Sequence, residues 1–362
     1  MKILRAGVVL LALLLLVAGG IVFWAYRDLQ KPVSHRYGNE YVEISRGSTP
    51  DQTLARLESV GILSRAWPLS YYIKLTGKGT RLKAGEYRFP SPISSLTVLR
   101  KLEEGQQRLS RFTVIEGWTR WDVAAALTRL PELKLQSSDE TLALMNDTTD
   151  IREIDSAAPN LEGYLYPDTY SFPPNTTARE IISIIVRRFR QEWKPDFVVK
   201  ARALGKTPRQ IVTIASLIET EAKLKEERPL VSSVIYNRLR LDIPLGIDST
   251  VIYASKLAGK WKNDGKVYQS DLDRESPYNT RKVRGLPPGP VASPGVRSIE
   301  AALDPAPTDY LYYVREPSRD DGAHNFYNND RDFARGVQAL RDWERARDSR
   351  AAGQSSEQSV TP

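Results

Sequence analysis

Residues 211–241 read IVTIASLIETEAKLKEERPLVSSVIYNRLRL and place two carboxylates inside an otherwise apolar helical pattern. At about 100° per residue, Ile211, Ile214 and Ile218 share one apolar stripe. Glu219 falls on one edge of this stripe and Glu221 on the other, roughly 200° away around the axis. The two acids therefore cannot face a single scissile bond together, and at most one of them does acid chemistry there.

A buried acid costs several kcal/mol unless a partner compensates it, so these carboxylates need an explanation. The structural alternative to chemistry is that both lie at the rim of the core. They would then pair with Lys223, Lys225 or Arg228. The pattern alone leaves both interpretations open.

Composition restricts the class of protein. The 362 residues can form two domains, and 41% hydrophobic with 27% charged residues is typical of a globular chain. The net charge of +8 favours an anionic neighbourhood such as a membrane surface or a cell-wall polymer. No nucleic-acid motif accompanies this charge, so no nucleic-acid partner is expected.

Cysteine is absent and histidine occurs only twice, as His35 and His324. Disulfides, thiolate nucleophiles and sites with several histidine ligands are therefore excluded. No metal or other cofactor is expected. Hydrolytic or lytic chemistry in this chain must depend mainly on carboxylates.

The N-terminus predicts a membrane anchor. Residues 6–26 carry no charge, and Lys2 and Arg5 precede them. A helix of this length is roughly 30 Å long, which matches the hydrocarbon thickness of a bilayer. We expect residues 1–5 in the cytoplasm, a single transmembrane helix over 6–26, a connection over 27–40, and an exported remainder. A cleaved signal peptide is the alternative, because small residues occur at 18–20.

Beyond the anchor, alternating strand and helix patterns predict an α+β protein. Strand, helix, helix and strand over residues 41–107 are compatible with a small LysM-like subdomain. A connecting α/β region follows over 108–155, and a larger mixed α/β domain over 156–345. The latter includes a strand pair split by PSRDDG, and a polar, disordered tail is expected over 346–362.

Several segments resemble the YceG-like family in their order and spacing. They are LEGYLYPDTYSF, ASLIETEA, VIYNRL, IDSTVIYA, SPYNTRKVRGLPPGPVASPG, YLYYV and GAHNF, and the resemblance covers residues 41–340. It implies a single-pass inner-membrane protein whose catalytic domain lies in the periplasm. It also implies an endolytic lytic transglycosylase that cuts nascent peptidoglycan glycan strands between N-acetylmuramic acid and N-acetylglucosamine, with peptidoglycan synthases as possible partners.

The resemblance assigns the catalytic role to Glu219 and a supporting role to Glu221. In a lytic reaction the C6 hydroxyl of muramic acid attacks C1, so one carboxylate can act first as acid and then as base. A hydrolase would need a second carboxylate. Val212 and Ala215, which are apolar neighbours on the helix, are expected to raise the pKa of Glu219.

Further residues are candidates for substrate binding. They are Tyr164, Asp168, Glu221, Asp248, Tyr278, Asn279 and His324. Tyr164, Tyr166 and Asp168 could line a sugar groove or simply mark a turn. Glu162 could be a second acid or a surface residue at the start of a strand.

Buried hydrogen bonds that order loops are the plainer account of some matching polar residues, namely Asn237, Arg238, Asp248 and Thr250. Two positions depart from the family pattern: Gly246 stands where glutamine is common, and Ser249 where proline is common. Both departures are expected to affect substrate contacts. A non-catalytic, membrane-anchored scaffold that binds peptidoglycan is the alternative function.

Overall fold

The computed structural model describes residues 13, 15–17, 19–20, 23–38, 40–77, 82–105, 108–174 and 176–358. Much of the predicted membrane span over 6–26 lies outside these residues. Within the described part of the chain, no helix is both long enough and apolar enough to cross a membrane. Residues 23–30 are helical.

The chain divides into two compact units. The first runs to Arg111 and includes Ser171–Thr176, and the second comprises Phe112–Tyr170 and the residues from Thr177 onward. Both contain helices together with small antiparallel sheets, as expected of the α+β class.

The first unit follows the predicted order of strand, helix, helix and strand. Its elements are β1 (Tyr41–Ile44), α1 (Pro50–Ser59), α2 (Trp67–Thr76), β2 (Gly85–Arg88) and α3 (Ser95–Glu104). β1 pairs with β2, with Tyr41 opposite Arg88. Thr49 caps α1 through a capping box with Gln52, which satisfies free N–H groups of the first turn. The LysM-like character of this unit stays a prediction.

The strands β3 (Ser110–Thr113) and β4 (Thr169–Phe172) pair with each other, and the division between the units runs through both. The second unit contains the remaining elements. They are α4 (Arg120–Thr128), α5 (Ser138–Leu144), α6 (Ala178–Glu192), α7 (Pro195–Ala203), α8 (Pro208–Glu221), α9 (Arg228–Arg240), α10 (Asp248–Leu257), α11 (Gln269–Leu272), α12 (Val296–Leu303), β5 (Tyr312–Arg315), β6 (His324–Tyr327) and α13 (Asp330–Gln358). Short 3-10 turns lie at Pro131–Leu133, Thr149–Ile151 and Lys225–Glu227.

Helix α8 is the central element of the second unit. Thr207 caps it through a capping box with Gln210, and Pro208 occupies its first position, where no N–H is needed. All residues from Ile211 to Ile218 are buried, because α7, α9, α10 and α12 pack around the helix. The sequence pattern predicted one apolar stripe, but the helix is enclosed on every side. Glu219 and Glu221 lie in its last turn.

The C-terminal part of the unit begins with the predicted strand pair. β5 and β6 are antiparallel, with Tyr313 opposite Phe326. Helix α13 contacts both strands and continues to Gln358, past residue 346, where the sequence predicted a disordered tail. Arginine, alanine and glutamate after Asp342 favour a helix, and Asp342 pairs with Arg345 one turn later. Residues 359–362 lie outside the described residues.

Candidate active site

The side chain of Glu219 is almost completely enclosed, with 3% exposure. Its Oε1 accepts a hydrogen bond from Nη2 of Arg228 at 2.8 Å. Its Oε2 accepts one from the backbone N–H of Gly295, also at 2.8 Å. Arg228 is the first residue of α9, and Gly295 immediately precedes α12. Glu219 thus lies where the end of α8 meets the starts of two other helices.

Two opposing effects act on the Glu219 carboxyl. Burial is the largest and raises its pKa, whereas the Gly295 N–H and the Arg228 guanidinium lower it. Burial prevails, so the pKa lies above the ordinary value for glutamate. This direction agrees with the expectation from the buried neighbours Val212 and Ala215. A proton on Glu219 is therefore favoured relative to an exposed glutamate.

A second carboxylate, Glu116, lies on the solvent side of Arg228. Its Oε2 is 3.8 Å from the same Nη2 atom, and its side chain is 56% exposed. Its negative charge also contributes to raising the pKa of Glu219. Sequence reasoning did not single out Glu116. The only local signal was its place at the end of a predicted strand, before Gly117.

The loop that carries Glu116 is fixed to the loop that carries Gly295. The N–H of Gly117 donates to the carbonyl of Ser293 at 2.9 Å, and the N–H of Ser293 donates to the carbonyl of Trp118 at 2.7 Å. Gly117 has a φ of +80°, which favours glycine. We call this pair of hydrogen bonds the backbone clasp. It brings Glu116 and Gly295 to the same side of Glu219.

Glu221 belongs to a different set of contacts, as its helical phase predicted. Its Oε2 accepts a hydrogen bond from the hydroxyl of Tyr313 at 2.8 Å. Burial raises the pKa of Glu221, while the Tyr313 hydrogen bond opposes this. The ring of His324 lies 5.4 Å from that of Tyr313, and its Nδ1 is 2.7 Å from Oε2 of Glu227. The β5–β6 hairpin therefore brings two predicted site residues, Glu221 and His324, together.

Asp248 lies close enough to add to the rise in the pKa of Glu221. Its own carboxylate is exposed and pairs with Arg281 at 2.6 Å. Ser249, the next residue, accepts a hydrogen bond from the hydroxyl of Thr220 at 2.8 Å. Ser249 thus links α10 to the end of α8, a contact that proline would lack.

Gly246, the other departure from the family pattern, has a φ of +64°. Its N–H donates to the carbonyl of Thr280 at 3.0 Å. Because a side chain is strained at this φ, the backbone here is adapted to glycine. Glutamine in the same conformation would be unfavourable.

Glu162 is buried, at 3% exposure, and not on the surface at the start of a strand. Both of its carboxylate oxygens accept from the N–H of Arg120, at 3.1 and 3.2 Å. Burial raises its pKa to about 7. The rings of Tyr253 and Tyr278 lie 4.8 Å apart. Burial raises the pKa of both tyrosines, and the charge of Glu162 adds to this rise. Tyr278 is half-buried, so part of it is open to solvent.

The structure corrects the prediction for Tyr164. This side chain is 1% exposed, packs edge-on against Phe189, and donates to Asp155 at 2.6 Å. It is therefore a core residue and presents no face to a sugar. Tyr166 is also buried. Asp168 is exposed and pairs with Arg188 at 2.9 Å.

Asn279 is likewise a structural residue and not a surface available to substrate. It is fully buried, and its amide donates to the carbonyls of Leu272 and Arg274 at 2.9 Å. The predicted loop-ordering roles of Asn237, Arg238 and Thr250 agree with their contacts. Asn237 donates to the carbonyls of Thr308 and Tyr310, Arg238 to that of Leu311, and Thr250 to that of Ile247.

An open pocket of about 480 Å³ adjoins Arg228. Basic and acidic side chains line it: Lys194, Lys200, Lys225, Arg228 and Arg297 with Asp196, Glu300 and Asp304. Lys194 pairs with Glu300 at 2.9 Å. Among the described residues, Lys225 and Arg297 have no ion-pair partner within 4 Å. Asp304 also has no ion-pair partner there among the described residues, so the pocket beside Arg228 carries a net positive charge.

Comparisons with known proteins cover most of the chain. The YceG-like family model matches residues 42–339. An endolytic murein transglycosylase of Bacillus subtilis is 32% identical over 322 residues, which are 83% of this chain and 85% of that protein. One of Streptococcus pneumoniae (strain D39) is 30% identical over 355 residues, 91% of this chain. The match spans only 63% of the pneumococcal protein.

A solved structure is also similar. The 2.6 Å crystal structure of a putative YceG-like protein from Listeria monocytogenes has a TM-score of 0.54 and 30% sequence identity. The similarity covers 80% of this chain and 95% of that one. Glu116, Glu162, Glu219 and Glu221 all lie within the segment that the family model matches.

Proposed function

The chain belongs to the YceG-like family, and from this premise we propose that it is an endolytic peptidoglycan lytic transglycosylase. Its substrate would be the β-1,4 bond between N-acetylmuramic acid and N-acetylglucosamine in nascent glycan strands. Relatives named endolytic murein transglycosylase support the class of reaction. The observation that carries the proposal is the enclosed Glu219 carboxyl, whose pKa burial raises.

Glu219 performs both proton transfers in the proposed mechanism. Its carboxyl first gives a proton to the glycosidic oxygen, and the bond from C1 of muramic acid to that oxygen breaks. The leaving N-acetylglucosamine keeps the proton on its 4-hydroxyl group. The resulting Glu219 carboxylate is stabilised by the Arg228 guanidinium and the Gly295 N–H.

The second step closes a ring within the muramic acid. Its C6 hydroxyl oxygen bonds to C1, and the hydroxyl proton passes to Glu219, which restores the acid. No water is consumed, and the product ends in 1,6-anhydromuramic acid. The burial of Glu219 suits this chemistry. Both steps exchange a proton between Glu219 and the substrate, and excluding water prevents loss of that proton to solvent.

Product analysis tests the proposal directly. Purified protein is incubated with intact glycan strands, and the released muropeptides are analysed by mass spectrometry. Anhydromuramic ends, one water lighter than hydrolysis products, are expected. Reducing ends would contradict the lytic mechanism. Retention of strands without any cleavage would instead support the non-catalytic scaffold.

The net positive charge of the pocket beside Arg228 supports an anionic substrate. Lys225 and Arg297 are exposed there, where carboxylates of a peptidoglycan stem peptide could pair with them. Replacing both with glutamine should raise KM for strands that carry stem peptides. Strands stripped of peptides serve as the control, and an equal effect on both substrates would exclude a peptide contact.

The proposal includes an extracytoplasmic site of action, since peptidoglycan lies outside the inner membrane. Residues 6–26 would anchor the chain as a single-pass inner-membrane protein near peptidoglycan synthases. Alkaline carbonate extraction of membranes compares the full chain with a variant lacking residues 1–26. The full chain is expected in the pellet and the shortened chain in the supernatant. Release of the full chain would contradict the anchor.

A further inference from the structure

The contacts of Glu219 conflict with its proposed use as an acid. An opposite charge within about 4–6 Å typically lowers a carboxyl pKa by about 1–3 units. Nη2 of Arg228 is only 2.8 Å away, and the Gly295 N–H also stabilises the carboxylate. Burial opposes both effects. A proton on Glu219 would be easier to hold if another group shared the charge of Arg228.

Glu116 is placed to share it. Its Oε2 lies 3.8 Å from the Arg228 nitrogen that donates to Glu219. A Cβ added to Gly295 would lie 2.6 Å from Oε1 of Glu116 and 3.5 Å from Oε2 of Glu219. The two carboxylates thus flank one glycine and one guanidinium. One is 56% exposed and the other 3% exposed.

We propose that Glu116 is a positioning residue that acts through Arg228, taking up the guanidinium charge so that Glu219 can carry a proton at neutral pH. This inference rests on the proposed function. When Glu219 is protonated, Arg228 is balanced by Glu116. When Glu219 has given its proton to the leaving oxygen, the Arg228 guanidinium pairs with the new Glu219 carboxylate. The guanidinium therefore serves the two carboxylates alternately.

The surroundings of Glu219 favour this arrangement. The charged groups that face it are Arg228 from α9 and Glu116 from the loop after β3, and the loop before α12 contributes the Gly295 N–H. Glu221, on the same helix, is turned toward Tyr313. The backbone clasp holds the Glu116 loop in place. Nη2 of Arg228 lies 2.8 Å from Glu219 and 3.8 Å from Glu116, so both carboxylates are within reach of one nitrogen.

The pH profile of kcat/KM tests the inference with three proteins: wild type, Glu116→Gln and Glu153→Gln. Glu153 is an 81% exposed glutamate that also pairs with an arginine, so it is a matched control. Without Glu116, Arg228 stabilises only the Glu219 carboxylate. We expect the basic limb of the Glu116→Gln profile to move about one unit lower, with roughly tenfold less activity at the wild-type limb.

Two results would support the inference further. Glu116→Gln should keep wild-type activity on the acid side of its shifted limb, because Glu219 is protonated there. Glu116→Asp should recover part of the shift, since it restores the charge at a slightly greater distance. The control should follow wild type throughout.

Superimposed profiles for wild type and Glu116→Gln would overturn the inference. Complete loss of activity at every pH in a folded Glu116→Gln protein would also overturn it, because Glu116 would then touch the reacting atoms. NMR titration of the ¹³C-labelled Glu219 carboxyl needs no turnover and should show a lower pKa in Glu116→Gln. An unchanged titration would contradict the inference, whereas wild-type products with reducing ends would contradict the proposed reaction.

Discussion

The hydroxyl of Tyr313 donates a hydrogen bond to Oε2 of Glu221 at 2.8 Å, so the β5–β6 hairpin holds the second acid of α8. Glu219, two residues earlier, is held instead by α9 and by the loop before α12. Acids three or four residues apart would share one face of the helix, but a separation of two residues places them on different faces. The two glutamates therefore have separable roles, which substitutions can test.

Glu219→Gln should strongly reduce cleavage. The amide keeps the size of the side chain and can still accept one hydrogen bond, but it has no proton to transfer. Loss of general acid and base catalysis should lower kcat by about 10²–10⁴-fold or more. Quantification of anhydromuropeptides measures this, with Glu153→Gln as the control. Near wild-type turnover by a folded Glu219→Gln protein would remove this residue from the mechanism.

Tyr313→Phe should reduce stability more than it reduces catalysis. It removes the hydrogen bond to a buried carboxylate, and the free energy of unfolding should fall by about 1–3 kcal/mol. Urea unfolding measures the change. Tyr310→Phe is the matched control, because the Tyr310 hydroxyl has no hydrogen-bond partner among the described residues. Equal losses in both variants would show that the bond to Glu221 contributes nothing.

Stability should fall as pH rises through the range in which Glu162 titrates. Burial raises the pKa of Glu162 from 4.5 to about 7, so the folded state binds its proton more tightly than the unfolded state. The stabilising effect of this proton is complete below pH 4.5 and is lost as pH rises to about 7. The difference is on the order of 3 kcal/mol.

Urea unfolding of wild type and Glu162→Gln between pH 4.5 and 7 measures this effect. The amide cannot titrate but can still accept from the Arg120 N–H. The loss of stability over this range should therefore be smaller in the variant by about 3 kcal/mol. Parallel curves for the two proteins would mean that Glu162 does not hold a proton in the folded state.

Gly295→Ala should disturb the site without disturbing the fold. The φ of Gly295 is −77°, which alanine adopts readily, but the new Cβ would lie 2.6 Å from Oε1 of Glu116. Glu116 is exposed and can move away, so the free energy of unfolding should change by less than about 1 kcal/mol. If Glu116 is displaced, the Arg228 guanidinium stabilises only the carboxylate of Glu219.

The basic limb of the Gly295→Ala profile should therefore shift in the same direction as that of Glu116→Gln. The pH dependence of kcat/KM measures it, with Gly289→Ala in the same segment as the control. At Gly289 an added Cβ would be 3.4 Å from the Tyr278 hydroxyl, a contact that small adjustments relieve. A wild-type profile for Gly295→Ala would show that the position of Glu116 does not affect Glu219.

The sequence predicted the elements better than it predicted the surroundings of each side chain. Helical phase separated Glu219 from Glu221, and the strand pair near the C-terminus followed from alternation and turn residues. These features depend on neighbours along the chain. The burial of the whole of α8 did not follow, because it depends on helices that arrive from elsewhere in the sequence.

The surroundings of Glu116, Tyr164 and Asn279 depend on contacts with other parts of the chain, which local sequence patterns do not reveal. Glu116 meets Arg228 across more than a hundred residues, and the backbone clasp holds the Glu116 loop against the loop of Ser293. For Tyr164 the sequence leaves a sugar groove and a turn open, and neither alternative contains the core position that the ring occupies. Asn279 is a candidate for substrate binding from the sequence, because the sequence does not distinguish an amide that is buried in a loop from one that faces a ligand.

The backbone clasp also limits where the sequence can accept insertions. Its two hydrogen bonds join Gly117 and Trp118 to Ser293, next to the residues that contact Arg228 and Glu219. An insertion between Glu116 and Trp118, or between Ser293 and Gly295, would break the register of this joint and displace both loops at once. Insertions tolerated by this domain should therefore fall outside these two short segments, even though Glu116 itself is exposed to solvent.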